Sequence, residues 1–189
     1  MPDFNLDSET LRDEIENICK HWITKGVKGF RLDAVTYYYS NNISKNNYFL
    51  NWLSSTCKKY DPDFYMVGEA WTGDFDVASY YRSKCDSFFK FDSSISSTNI
   101  YAGLINTAKG NGKCKEFAES IQKYEKQIKS ANPNGYSSYF LSNHDQDRVS
   151  SSISDERSKS AASLLCLMPG TSFMYYGEEI LLKGIRKTS

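Results

Sequence analysis

The sequence predicts an α/β chain built on a parallel sheet, and three observations carry that prediction. Five short apolar runs alternate with stretches of helical period. Gly26, Asp61-Pro62-Asp63, Pro133-Asn134-Gly135 and Pro169-Gly170 punctuate the alternation. Charged residues within the runs lie toward their carboxyl ends. Strands separated by helices need crossovers, which are right-handed and make the strands parallel. Periodicity leaves two closures open: a doubly wound open sheet, or part of an eight-stranded barrel.

The elements follow in order. Over residues 8–25, Leu11, Ile15, Ile18, Cys19, Trp22 and Ile23 form one helical stripe, with Asp7 or Ser8 as cap and Gly26 as stop. Val27 to Ala34 reads as a strand. A helix over 45–59 turns Phe49, Trp52, Leu53 and Cys57 inward; Trp22 and Trp52 are expected in the core, and His21 in solvent. Strands are predicted at 64–71, 87–92, 138–143 and 171–176, and helices at 76–83, 96–130 (interrupted at 110–112) and 156–168. The basic residues Lys183, Arg186 and Lys187 read as a solvated tail.

Composition excludes several classes. The 23 basic and 23 acidic side chains cancel, so neither nucleic acid nor a membrane surface is expected as a partner. No apolar stretch is long enough to span a bilayer, and no signal peptide is visible at Met1-Pro2-Asp3-Phe4-Asn5. Cys19, Cys57, Cys85, Cys114 and Cys166 lack metal-site spacing and read as buried free thiols. Aromatic residues make up 15% of the chain, and 14 of them are tyrosine, which suits a cleft where sugar rings stack as well as a core.

The chemistry lies at strand ends. In Gly29-Phe30-Arg31-Leu32-Asp33-Ala34-Val35, alternation puts Arg31 and Asp33 on one face, opposite Phe30 and Leu32. Glu69 ends a second strand, and Asp145 follows a fourth beside His144. Three carboxylates at the carboxyl ends of three parallel strands converge on one mouth, the layout of a barrel active site. Without cysteine ligands or a phosphate-cradling loop, glycosidic chemistry comes first. Arg31 would hold Asp33 as an anion, while Glu69, with no neighbouring cation in sequence, suits the proton donor. Metal-assisted hydrolysis is the rival, since carboxylates and a histidine also bind cations.

Met1-Pro2-Asp3-Phe4-Asn5, the Arg31–Asp33 segment, Val67-Gly68-Glu69-Ala70-Trp71 and Leu141-Ser142-Asn143-His144-Asp145-Gln146 occur in an order that resembles the alpha-amylase family of retaining alpha-glucan hydrolases and transglycosylases. Tyr175-Tyr176-Gly177-Glu178-Glu179 resembles the segment after that family's last strand. The resemblance implies an incomplete (β/α)8 TIM barrel over residues 1–189, about the fourth to eighth strands of one catalytic domain truncated at both ends. It makes Asp33 the nucleophile, Glu69 the acid/base and Asp145 a ligand of sugar hydroxyls, assisted by His144, with Arg31 positioning Asp33. Trp71 and Tyr37 are expected to contact sugar. The implied function is endo cleavage of alpha-1,4 glucans, with an alpha-1,6-acting or transglycosylating relative, or an inactive fragment or scaffold, as alternatives. The implied partner is an alpha-glucan oligo- or polysaccharide, with oligomeric state open. No metal site is expected in this chain. Calcium stays open for a full-length parent, whose location is expected outside the cell or at its surface, the cytoplasm staying open. Two features depart from the family pattern: Thr36-Tyr37-Tyr38-Tyr39 stands where many members have a Lys-His pair, and the first barrel motif is absent.

Overall fold

Five parallel strands pair in chain order: β1 (Gly29–Leu32), β2 (Tyr65–Gly68), β3 (Ser87–Phe89), β4 (Tyr136–Phe140) and β5 (Thr171–Phe173). Between them run α1 (Glu9–Thr24, before β1), α2 (Ile43–Tyr60), α3 (Asp74–Tyr80), α4 (Leu104–Ala108), α5 (Cys114–Ala131), α6 (Val149–Ser152) and α7 (Asp155–Cys166). This computed structural model describes residues 3–40, 42–95, 103–111 and 113–186. Met1-Pro2, the predicted helical stretch at 96–102, Gly112 and Lys187 lie outside the described residues. Among the described residues no helix is long and apolar enough to cross a membrane.

Caps explain where the main helices begin. The Ser8 hydroxyl accepts from the Leu11 N–H, the Asn42 amide oxygen from that of Lys45 (3.1 Å), and the Ser154 hydroxyl from that of Arg157 (3.3 Å). Each satisfies an N–H that has no partner within the first turn. The Asn42 cap starts α2 two residues earlier than its apolar stripe does. Strands β2, β3 and β5 stop about three residues short of the predicted ends, and β4 is shifted toward the N-terminus. Their apolar character continues into rim loops, where Phe91 and Leu141 are buried without a strand partner. The four-residue α6 carries too little periodicity to be read from sequence.

Alternation along the strands separates two environments. Leu32, Met66 and Phe88 point outward into a core shared with Phe49, Leu50 and Cys57 of α2 and with Tyr80 and Ile128. A second cluster packs Leu104, Phe117, Tyr139 and Leu165 behind β4. Phe49 is almost wholly buried, so truncation to Ala should cost about 3–5 kcal/mol. The inner face carries Phe89, Phe140 and Phe173, packed edge-to-face with the Phe89 ring 5.6 and 4.8 Å from the other two. Beneath them Tyr65, Ser87 and Ser138 join hydroxyls at 2.5–3.2 Å.

Closure follows from one geometric fact. Arg31 of β1 and Phe173 of β5, on opposite edges of the sheet, line the same cavity of about 140 Å³. In a flat sheet those edges would stand ~19 Å apart, four strand spacings. The sheet therefore curls as a barrel wall does, and the doubly wound alternative falls.

Several sequence expectations are corrected. Trp22 is 48% exposed: α1 turns Ile15, Cys19 and Ile23 to the core, while Ile18 and Trp22 stay half exposed, with the Trp22 ring edge-on to that of His21. Trp52 does pack on the core. Cys114 and Cys166 are exposed, unlike the other three thiols. Lys183 pairs with Asp155 at 3.2 Å, and Arg186 folds back over the rim.

Candidate active site

At the carboxyl end of β1 the chain turns sharply. Ala34 adopts a left-handed conformation (φ 44°), unusual for a residue with a Cβ. That turn aims the Ala34 N–H at the Glu69 Oε2 (3.1 Å), and the Val35 N–H donates to the Glu69 carbonyl (3.0 Å). The Glu69 N–H in turn donates to the Leu32 carbonyl at 2.8 Å. Gly68, just before Glu69, is required by close packing: a Cβ there would sit 2.4 Å from the Phe88 ring.

Arg31 joins the two carboxylates. One guanidinium nitrogen pairs with Asp33 Oδ1, and the other lies 2.7 Å from Glu69 Oε1. Glu69 is buried, whereas the Asp33 side chain is 76% exposed at the rim. Glu69 has no cation beside it in sequence, but one reaches it from the neighbouring strand. Arg31 stands opposite Val67 in the ladder, so Glu69, two residues on, shares its face and comes within reach. Adjacency in sequence hides a partner supplied by register.

Asp145 lies on the other side of the mouth, in the loop after β4. Its Oδ2 is 3.2 Å from His144 Nε2, and its N–H donates to Asn143 Oδ1 at 2.9 Å. Arg186 donates from Nη1 to the Asp145 carbonyl (2.7 Å), with Nη2 3.8 Å from Oδ1. The Arg186 N–H reaches Asp147 Oδ1 (2.7 Å). The residues from Met174 to Arg186 thus strap down the β4 loop. Arg148 holds the strap's start: its guanidinium lies 4.6 and 4.5 Å from the Tyr175 and Tyr176 ring centres, and Nη1 donates to the Tyr176 carbonyl (2.6 Å). Buried Glu178 accepts from the Ser142 hydroxyl (2.5 Å) and the Tyr175 N–H (3.1 Å). Burial pushes its carboxyl above the usual range, and these hydrogen bonds only partly offset that. Sequence reasoning missed Arg148, Glu178 and Arg186 as members of the rim, because their partners are distant in the chain.

Of the residues named from sequence, Arg31, Glu69 and His144 line the 140 Å³ cavity over a phenylalanine floor. Asp33 and Asp145 are tied to it through Arg31 and His144. Trp71 and Tyr37 line a separate recess of about 320 Å³ beside it. Trp71 stacks one face on Phe91 (centres 4.5 Å apart, planes 15°) and stays half exposed. Tyr37 is also exposed. Among the described residues no three His, Cys, Asp or Glu side chains gather as ligands of one metal ion. The rim carboxylates Asp33, Glu69 and Asp145 are paired with Arg31, His144 and Arg186 instead.

The chain is similar to known proteins in sequence and in fold. A family model described as the alpha amylase catalytic domain matches residues 1–189. The chain is 37% identical to Alpha-amylase 3 of Dictyoglomus thermophilum, over 97% of this chain and 35% of that protein. It is 33% identical to Alpha-amylase SusG of Bacteroides thetaiotaomicron, over 91% of this chain and 25% of that protein. A solved structure, Amy13B of Eubacterium rectale, superposes with a TM-score of 0.87 at 36% identity, covering 98% of this chain and 36% of the other. The chain thus spans about a third or less of the length of these relatives. Its five strands form a half-barrel, part of a (β/α)8 barrel.

Proposed function

The chain belongs to the alpha-amylase family, and from that premise we propose that it carries the catalytic carboxylates of a retaining alpha-glucan hydrolase. The observation that carries the reading is the single Arg31 guanidinium spanning Asp33 and Glu69 at the carboxyl rim. One cation between two carboxylates keeps them close, as the ~5–5.5 Å separation of retaining enzymes requires. Asp33, the more exposed, attacks the anomeric carbon and expels the leaving sugar to form a glycosyl-enzyme ester. Glu69 gives a proton to the departing oxygen, then takes one from the incoming water. For that first step Arg31 must release Glu69 Oε1 as substrate enters. Asp145 and His144 hold sugar hydroxyls, and Trp71 and Tyr37 offer ring faces to a neighbouring sugar of the glucan.

Endo cleavage of alpha-1,4 bonds is the first reading, in line with the amylase relatives. A relative named oligo-1,6-glucosidase from Halalkalibacterium halodurans, 26% identical, keeps alpha-1,6 cleavage as the second. Activity belongs to a complete barrel. Strands β1 and β5 each pair on one side only among the described residues, so the 189-residue chain alone should turn over no starch. Starch hydrolysis by that isolated chain near the rate of a complete enzyme would contradict this.

Glu69→Gln in the complete enzyme tests the acid role. Its rate on starch should fall about 10²–10⁴-fold, and far less on an aryl glucoside whose leaving group needs no proton. Equal losses on both substrates would overturn the assignment.

A further inference from the structure

A groove of about 690 Å³ lies among the outer helices, between α3 with the turn that follows it and the outward face of α5. Ala78 and Ala131 line it with small side chains. Arg82 stands on the α3 side, and Lys123 and Lys126, one turn apart, stand on the α5 side. Both sides are anchored. Tyr81, next to Arg82, is fully buried; its hydroxyl donates to the Tyr136 carbonyl (3.0 Å) and accepts from the Phe88 N–H (3.1 Å). On α5, Tyr124 and Ile128 are buried, which turns Lys123 and Lys126 away from the core. The strands behind these helices, β2, β3 and β4, each have both neighbours in place. Completing the barrel at the β1 and β5 edges therefore leaves the groove between the same two helices.

The charge there is one-sided. Among the described residues Arg82, Lys123 and Lys126 form no ion pair, and the one carboxylate lining the groove, Glu119, pairs with Lys115 at 3.9 Å. Elsewhere lysines meet carboxylates, as Lys28 meets Asp61 (2.9 Å) and Lys58 meets Asp86 (2.7 Å). Unpaired cations around one recess repel one another until an anion enters. Gln122, Gln127 and Ser130 line the same space and offer neutral donors and acceptors, whereas no aromatic side chain does, so a neutral sugar finds no ring to stack on. We propose that this groove binds a sugar phosphate. The Arg82 guanidinium and the two ammonium groups take the phosphoryl oxygens, and the carboxamides and Ser130 take sugar hydroxyls. Its volume falls within the roughly 300–1,000 Å³ of small-molecule sites. Two sources carry such a group, a free sugar phosphate and a phosphorylated glucan chain. Binding there needs none of the rim carboxylates.

The complete protein containing this chain should be titrated calorimetrically with glucose 6-phosphate, glucose and inorganic phosphate, at low and high salt. Glucose 6-phosphate is expected to bind about tenfold or more tightly than either of the others, and to lose about fivefold or more in affinity as salt rises. Arg82→Gln and the paired Lys123→Gln and Lys126→Gln should each weaken it about tenfold or more. Lys25→Gln removes an exposed cation outside the groove and should leave the affinity within about twofold. Glu119→Gln should tighten binding by removing the groove's carboxylate. These side chains are exposed, so the variants should keep the fold, which thermal melts check. Absence of binding, an affinity unchanged by the Arg82 and lysine variants, or glucose or inorganic phosphate bound as tightly would each overturn the proposal. A maltotriose carrying the same phosphate ester separates the two sources. Binding about tenfold tighter than glucose 6-phosphate assigns the groove to a phosphorylated glucan, equal or weaker binding assigns it to the free sugar phosphate, and either result upholds the site.

Discussion

On the β1–β2 side of the rim, Asp33 and Glu69 follow immediately on strand ends, and the backbone of one turn and a single guanidinium hold both. On the β4–β5 side, Asp145 lies in a loop well beyond Phe140, and its supports arrive from Arg186 and from the strap that Arg148 and Glu178 secure. The first side is braced close to the sheet: Glu69 Oε2 accepts from the Ala34 N–H, and one guanidinium ties Glu69 to Asp33. The second is rigid only while a long segment stays folded over it. The proposed roles match this difference: groups that would make and break covalent bonds gain from the first kind of support, and a group that would grip sugar hydroxyls gains from the second, which can move as substrate enters.

The largest test of that contrast is Asp33→Asn against Asp145→Asn in the complete enzyme. Losing Asp33, the proposed nucleophile, should lower kcat by ~10³-fold or more, with no glycosyl-enzyme adduct visible by mass spectrometry. Losing Asp145 should leave adduct formation detectable on an activated substrate. Detection of the adduct with Asp33→Asn would break the comparison at its strongest point.

Arg31→Met and Arg186→Met form the next pair. Removing Arg31 strands the buried Glu69 and should destabilise by about 1–3 kcal/mol, with kcat falling at least tenfold. Arg186→Met, at an exposed contact, should stay within ~0.5 kcal/mol of the original stability and raise KM more than it lowers kcat. Thermal melts and steady-state kinetics read both, and equal effects would erase the distinction between the two sides.

The smallest expected effect concerns Glu178 and pH. Its folded carboxyl titrates above its unfolded value, so its favourable contribution is full in acid and fades as pH rises through the folded value. Glu178→Gln removes that titration. Its Tm relative to the unmutated protein should therefore climb from pH 4 to pH 8, and a flat difference would mean the strap does not feel this carboxyl.

Legibility in the sequence followed the same division. Arg31, Asp33 and Glu69 were readable because two-residue alternation places them on one face, and the alternation of runs and helical stripes announced a parallel α/β chain. The second partner of Arg31 was hidden because it depends on which residue of β2 stands opposite, a fact of register. Arg186 read as a solvated tail because its contacts lie about forty residues back in the chain. Trp22 shows the opposite limit: a stripe gives the apolar face of a helix, but not how much of it a neighbour covers.

The left-handed turn at Ala34 carries one more consequence, for anyone who would transplant this rim. Leu32, Ala34 and Val35 each exchange a hydrogen bond with Glu69, two through its backbone and one through its carboxylate. The 31–35 turn and the 68–69 strand end are therefore geared, so that moving one backbone segment displaces the other. A loop graft that swaps one segment without the other mixes two gear settings. Residues 31–35 and 68–69 form a single inheritable cassette, and recombination breakpoints should be placed outside it.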